Sequence, residues 1–211
     1  MRSAMSSCWK TTGFFVVIVG VTACSQPPAE PAASRTDPIA HTAHAPTAHS
    51  APPKPEACDA LRLDRLLTAP HDPPTPEQLR ATCADPIPEL VLRATNTQAR
   101  GLMRMRAMES LGKLGGAQAT KALADLATAS ADLPSMRRTA VEALTRATTV
   151  GDEERDRVGV KALADADPHV RVAAARLLAG SKRPDVREEL DRAGTRETET
   201  FVREAIDRAK Q

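Results

Sequence analysis

Four stretches of the chain share one pattern of apolar and polar positions. Each opens with an apolar residue followed by arginine: Met103-Arg104, Met136-Arg137, Val170-Arg171 and Val202-Arg203. The openings are 33, 34 and 32 residues apart. Four residues further on stand Ala107, Ala140 and Ala174, with Ile206 in the fourth copy, and eight further on stand Leu111, Leu144 and Leu178. Residues four apart share a helix face, so each stretch predicts an amphipathic helix. The rest of each period leaves room for a second helix. Apolar pairs place these over 117–129 (Leu123, Leu126), 153–165 (Val158, Leu163) and 183–193 (Val186, Leu190). Helix pairs repeating at this length are the signature of an α-solenoid. The second unit departs from its neighbours. Leucine stands twenty residues after the opening in the first and third units, but Asp156 takes that place in the second, and the turn around residues 147–154 reads as longer. The fourth unit shows one helix only, with Phe201, Val202, Ala205 and Ile206 expected inward and Arg203, Asp207 and Arg208 outward, as suits a terminal cap.

Upstream of the repeats, Leu61, Leu63, Leu66 and Leu67 form an apolar-periodic run, and the proline-rich turn of residues 69–78 follows. Thr75, Pro76 and Gln78 have the order of an N-cap, a first-turn proline and a capping-box partner. Two short helices are expected between Cys58 and Cys83, within a divergent helical cap over residues 58–98. The simplest reading joins those cysteines as a disulfide that staples the cap, with two free thiols as the alternative. Their separation of 25 residues fits no close pair of metal ligands.

Composition supports an all-α fold. Aromatic residues are 2% of the chain, with no tyrosine, and only Phe201 lies beyond the opening segment that holds Trp9, Phe14 and Phe15. Alanine, leucine and valine must fill the interior. Small aliphatics suit close helix contact, whereas sheets draw on β-branched and aromatic residues.

The opening segment changes the picture from a helical domain to an exported one. Arg2 and Lys10 precede an apolar run over residues 13–23. That run is far short of the roughly 20 residues needed to cross a bilayer, and small residues end it, so residues 1–23 read as a secretory signal. Val21-Thr22-Ala23-Cys24 resembles the bacterial lipobox. The resemblance implies diacylglycerol on the Cys24 thiol, cleavage just before it, and acylation of the new N-terminus. It makes the protein a membrane-anchored lipoprotein of the cell envelope. By the same resemblance to Gram-negative lipoproteins, Ser25 after the cysteine favours outer-membrane over inner-membrane retention without setting the leaflet, and the expected location is the periplasmic face of the outer membrane. Export also favours the Cys58–Cys83 disulfide. Residues 24–57 are rich in proline and alanine and nearly lack large apolar side chains, so they read as a disordered tether with a limit of about 100 Å. His41, His44 and His49 lie in it. Clustered imidazoles can bind transition metals, but sites need an ordered surround that this segment does not supply.

Residues 167–178, "DPHVRVAAARLL", resemble the short bacterial HEAT-like repeats with their Asp-Pro-x-Val-Arg-x-x-Ala-Ala pattern. Asp167 is placed to N-cap and Pro168 to occupy the first turn. The other copies are looser: Asp132 and Pro134 are offset, and no Asp-Pro precedes Met103 or Val202. The resemblance covers residues 99–211 and implies a short right-handed α-solenoid. In such repeats the recurring arginines, here Arg104, Arg137, Arg171 and Arg203, bridge neighbouring units through carboxylates or carbonyls, for which Asp132, Asp167 and Glu199 stand available. An anion-binding ladder is the other reading. The second helices would line a concave surface. Each carries a basic residue with aspartate four later (Lys121/Asp125, Lys161/Asp165, Arg187/Asp191), giving three mixed-charge stripes that are either a solvated face or a recognition groove for a protein.

Candidate chemistry is sparse. Taking Arg2 and Lys10 off the 29 basic residues leaves 27 against 27 acidic, which gives no electrostatic footprint for nucleic acid and no polybasic membrane patch. Aromatic platforms for bases are missing. No metallopeptidase, nucleophile-elbow, Walker or dinucleotide motif occurs, and His71 and His169 are the histidines of the folded part. The chain is expected to be a non-enzymatic, cofactor-free scaffold or assembly factor that binds a protein partner. An enzyme or lyase-type subunit, and a metal-responsive protein acting through the tether histidines, are the alternatives. HEAT-like hydroxylases use His-Glu pairs that are missing here, and HEAT-like bilin lyases fit poorly with a lipid anchor and few aromatics.

Overall fold

Alanine, leucine and valine at helical spacing do produce helices. The computed structural model of the chain describes residues 57–70, 72–147 and 150–211. Among these residues there are ten helices and no strand. The chain divides into two units, residues 1–49 and 50–211, and all ten helices fall in the second. The signal segment, Cys24 and the tether histidines His41, His44 and His49 lie outside the described residues, as does His71.

Three helices form the N-terminal part: α1 (Ala60–Thr68), α2 (Pro76–Arg80) and α3 (Ile87–Thr95). Asp59 caps α1. Thr75 closes the expected capping box on α2, accepting from the Gln78 amide at 3.3 Å while the Gln78 side chain accepts from the Thr75 amide at 2.9 Å. The Cys58 and Cys83 sulfurs are joined across these two helices. The Asp59 amide also donates to the Thr82 carbonyl at 3.1 Å, so the staple and a backbone bond close the same loop.

Seven helices follow: α4 (Gly101–Leu114), α5 (Ala117–Ala127), α6 (Pro134–Arg146), α7 (Asp152–Ala162), α8 (Pro168–Leu178), α9 (Pro184–Arg196) and α10 (Thr200–Ala209). They correspond to the expected first and second helices of each unit. The second helices α5 and α7 stop two or three residues earlier than expected, and α9 runs three residues further. Gly115 and Gly116, both at positive φ, make the two-residue turn between α4 and α5. Asp167 caps α8 as expected, accepting from the amides of His169 and Val170 at 2.9 and 3.2 Å.

The packing is sequential. Helix α4 touches α6, α6 touches α8 and α8 touches α10, while α5 touches α7 and α7 touches α9. Between the two sets lies a continuous interior with Leu111, Leu144, Leu178 and Ile206 from one set and Leu123, Val158 and Leu190 from the other, all at most 1% exposed. Alanine at the recurring position lets the helices approach: Ala107, Ala140 and Ala174 are fully buried. At Gly112 the helix meets the backbone of its neighbour, since a Cβ there would stand 2.6 Å from the Ala143 carbonyl oxygen. Phe201 corrects an expectation. It is 40% exposed rather than inward, and its ring lies 5.5 Å from that of the exposed His169.

Candidate functional site

The four recurring arginines form a relay along the α4–α6–α8–α10 set. Arg104 on α4 grips both carboxylate oxygens of Asp132, with Nη1 donating to Oδ1 at 3.0 Å, and its Nε donates to the Ala94 carbonyl at 3.0 Å. Arg137 on α6 grips Asp165 at 2.7 and 2.8 Å and donates to the carbonyl of Asp132 at 2.5 Å. Arg171 on α8 grips Glu197 at 2.7 and 2.9 Å and donates to the carbonyl of Asp165 at 2.9 Å. Arg203 on α10 donates to the carbonyl of Glu197 at 2.7 Å. Each acidic residue therefore gives its side chain to one arginine and its backbone oxygen to the next. All three lie in the loop before an even-numbered helix, so each clamp fixes a helix to the start of the next one in its set.

Two of the acidic partners expected from sequence are not the ones used. Asp167 caps α8 and Glu199 begins α10, while Asp165 and Glu197 take the arginines. Of the three expected acids only Asp132 takes an arginine with its side chain, and Arg203 holds the Glu197 carbonyl. The spacing carried the missing signal: Asp132 and Asp165 each follow their arginine by 28 residues, and Glu197 follows Arg171 by 26.

The clamps are largely out of solvent. Side-chain exposure is 4% and 9% for Arg104 and Asp132, and 17% and 5% for Arg171 and Glu197. Hydrogen bonds from Arg171 hold the Glu197 carboxyl down at about 2, helped by the amides of Glu199 and Thr198, against the opposing effect of burial. Arg104 and Arg137 lower Asp132 and Asp165 in the same way. Neutralised bidentate pairs of this kind hold helices together. They leave little of Arg104, Arg137 or Arg171 for an incoming anion, and the anion-ladder reading is set aside for these three.

The mixed-charge stripes are met in part. Lys121 and Asp125 are exposed on α5 and paired at 2.7 Å. The second stripe does not form. Helix α7 ends at Ala162, so Asp165 lies past it and is turned to Arg137, while Lys161 stays exposed with no ion pair among the described residues. In the third, Arg187 and Asp191 are both exposed on α9 but do not pair. Arg187 donates to the Lys210 carbonyl at 3.2 Å, and Asp191 accepts from the Lys210 ammonium at 3.2 Å. Beyond the residues singled out, Glu154 pairs with Arg157 on α7 and Arg192 is held between Glu188 and Glu189 on α9.

Asp156 on α7 is buried at the position where α5 and α9 bury Leu123 and Leu190. Its carboxylate accepts from the Ser181 hydroxyl at 2.9 Å, with the Arg183 guanidinium 3.9 Å away. Among the described residues no group of three or more His, Cys, Asp or Glu side chains is placed to hold a metal ion, and no helix is long and apolar enough to cross a membrane.

The chain matches no protein-family profile, no curated protein and no solved structure.

Proposed function

We propose that the chain is a lipid-anchored cell-envelope protein whose α5–α7–α9 face binds a partner protein, as a scaffold or assembly factor. The observation that carries this reading is the sequential contact of α5, α7 and α9, each of which bears exposed charged residues. Lys121, Asp125, Lys161, Arg187 and Asp191 are among the exposed residues of these helices. Extended faces built from stacked units are the binding surfaces of repeat proteins. The order of contacts, the buried alanines and the arginine relay support a right-handed α-solenoid of HEAT-like pairs over residues 99–211, with residues 58–98 as its cap. The lipobox-like Val21–Cys24 supports anchoring through Cys24 at the periplasmic face of the outer membrane, with residues 24–57 as the tether.

A photoreactive residue placed singly at Lys121, Lys161 or Arg187 in cells tests the face, with Arg176, exposed on α8, as the control. A discrete covalent adduct from the first three and not from Arg176 is expected. No adduct, or equal adducts from both sets of helices, would overturn the reading. Cys24→Ser or globomycin should block maturation, and unchanged processing would remove the anchor.

A further inference from the structure

Between α7 and α9 runs a groove of about 270 Å³ lined by Glu153, Asp156, Arg157, Val160, Arg183, Asp185 and Val186. Its floor is unusual. In the register of the repeat, α5 and α9 place fully buried leucines where α7 places Asp156, a charged residue only 3% exposed. A buried carboxylate is costly unless its oxygens are bonded. Here Oδ2 accepts from the Ser181 hydroxyl at 2.9 Å and is ion-paired with Arg183 at 3.9 Å, while Oδ1 makes no hydrogen bond among the described residues and keeps access to the groove rather than being sealed in the interior. Arg183 is shared between Asp156 and Asp185. That guanidinium is 46% exposed and holds Asp185 through two bonds, at 3.1 and 2.6 Å. Arg157, the other cation of the lining, is taken by Glu154 at 2.8 and 2.6 Å, and Glu153 makes no ion pair among the described residues. The groove thus has carboxylates with spare capacity, cations already engaged, and two valines along its walls.

We infer that this groove receives a lysine side chain of the partner protein, its ammonium on Asp156 and its aliphatic stem against Val160 and Val186. The chemistry fits a lysine better than an anion or a purely apolar group. An ammonium is a compact charge with three donors, and its stem lies along apolar surface. Arg183 sits at the mouth as a competing cation of the chain itself. This names the partner chemistry of the face proposed above and rests on that reading.

The test uses the ¹⁵N-labelled full chain titrated with Nα-acetyl-lysine methylamide and, as control, its norleucine counterpart. Amide shifts confined to α7, α9 and the turn before α9 are expected with the lysine compound and not with norleucine. Asp156→Asn should weaken binding roughly tenfold by removing the buried charge. Arg183→Ala should tighten it about threefold by removing an exposed competitor. Arg183 is half exposed, so its variant keeps the fold and reports even if the first disturbs it. No shifts, shifts spread over carboxylates elsewhere, or an Arg183→Ala variant that binds no tighter would overturn the inference. If the groove fails while photoadducts still form from Lys121, Lys161 or Arg187, only the lysine assignment falls. If both fail, the binding face falls with it.

Discussion

Each arginine of the relay acts through two different oxygens, and that decides what a substitution does. Removing Arg137 would leave Asp165 at 12% side-chain exposure without its bidentate partner and free the Asp132 carbonyl. Breaking such a largely buried pair costs about 3 kcal/mol, so Arg137→Ala should lower the urea midpoint markedly. Arg137→Lys should recover little of it, because an ammonium cannot copy the planar fork. Glu197 gives the pH signature. Its folded pKa of about 2 lies below the ordinary 4.5, so its contribution is fully present above pH 4.5 and is lost as pH falls towards 2. Asp132 and Asp165 are lowered for the same reason and add in the same direction. Acid titration followed by circular dichroism should show stability falling below pH 4.5, and Glu197→Gln should flatten that slope while lowering stability at neutral pH. Glycines give a contrast in packing. An added Cβ at Gly112 meets the fixed Ala143 backbone, whereas at Gly159 it meets the buried Leu178 side chain. Gly112→Ala should therefore cost more, on the order of 1–3 kcal/mol by thermal melts.

At the scale of the element, caps and turns were the most legible part of the sequence. Asp167 with Pro168, and Thr75 with Gln78, act as their order predicts, because an N-cap is a local matter of side-chain reach. Asp167→Ala should cost about 1 kcal/mol, read as a lower melting temperature. Helix cores were equally legible, since alanine and leucine at fixed offsets from each arginine mark the buried face. Less legible were helix ends and long-range partners. Helix α7 stops at Ala162, and Asp165 is drawn from the expected pair with Lys161 into the grip of Arg137. A pair four residues apart in the weaker orientation is worth tenths of a kcal/mol, and a buried bidentate arginine outcompetes it. Phe201 turned partly outward for a related reason: Val202, Ala205 and Ile206 already fill the inner face of α10. In the cap, the Cys58–Cys83 link closes a loop of 25 residues around two helices, the shorter of five residues. Reducing it should lower stability by about 2–4 kcal/mol, and partial proteolysis should then begin within residues 58–83.

For the whole molecule, the central claim is that successive helix pairs advance along one direction, joined by the arginine relay and sharing one interior. In the proposed solenoid that arrangement would give α5, α7 and α9 a common outer face, and the proposed partner site and lysine groove both depend on it. Spin labels at register-equivalent positions test it most directly. Lys121 on α5, Glu154 on α7 and Glu188 on α9 each lie eighteen residues after the opening of their unit. Adjacent helices pack about 10 Å apart, so the 121–154 and 154–188 separations should be similar and the 121–188 separation about twice as long. A 121–188 separation no longer than its neighbours would mean helices gathered into a closed bundle, and would contradict the account.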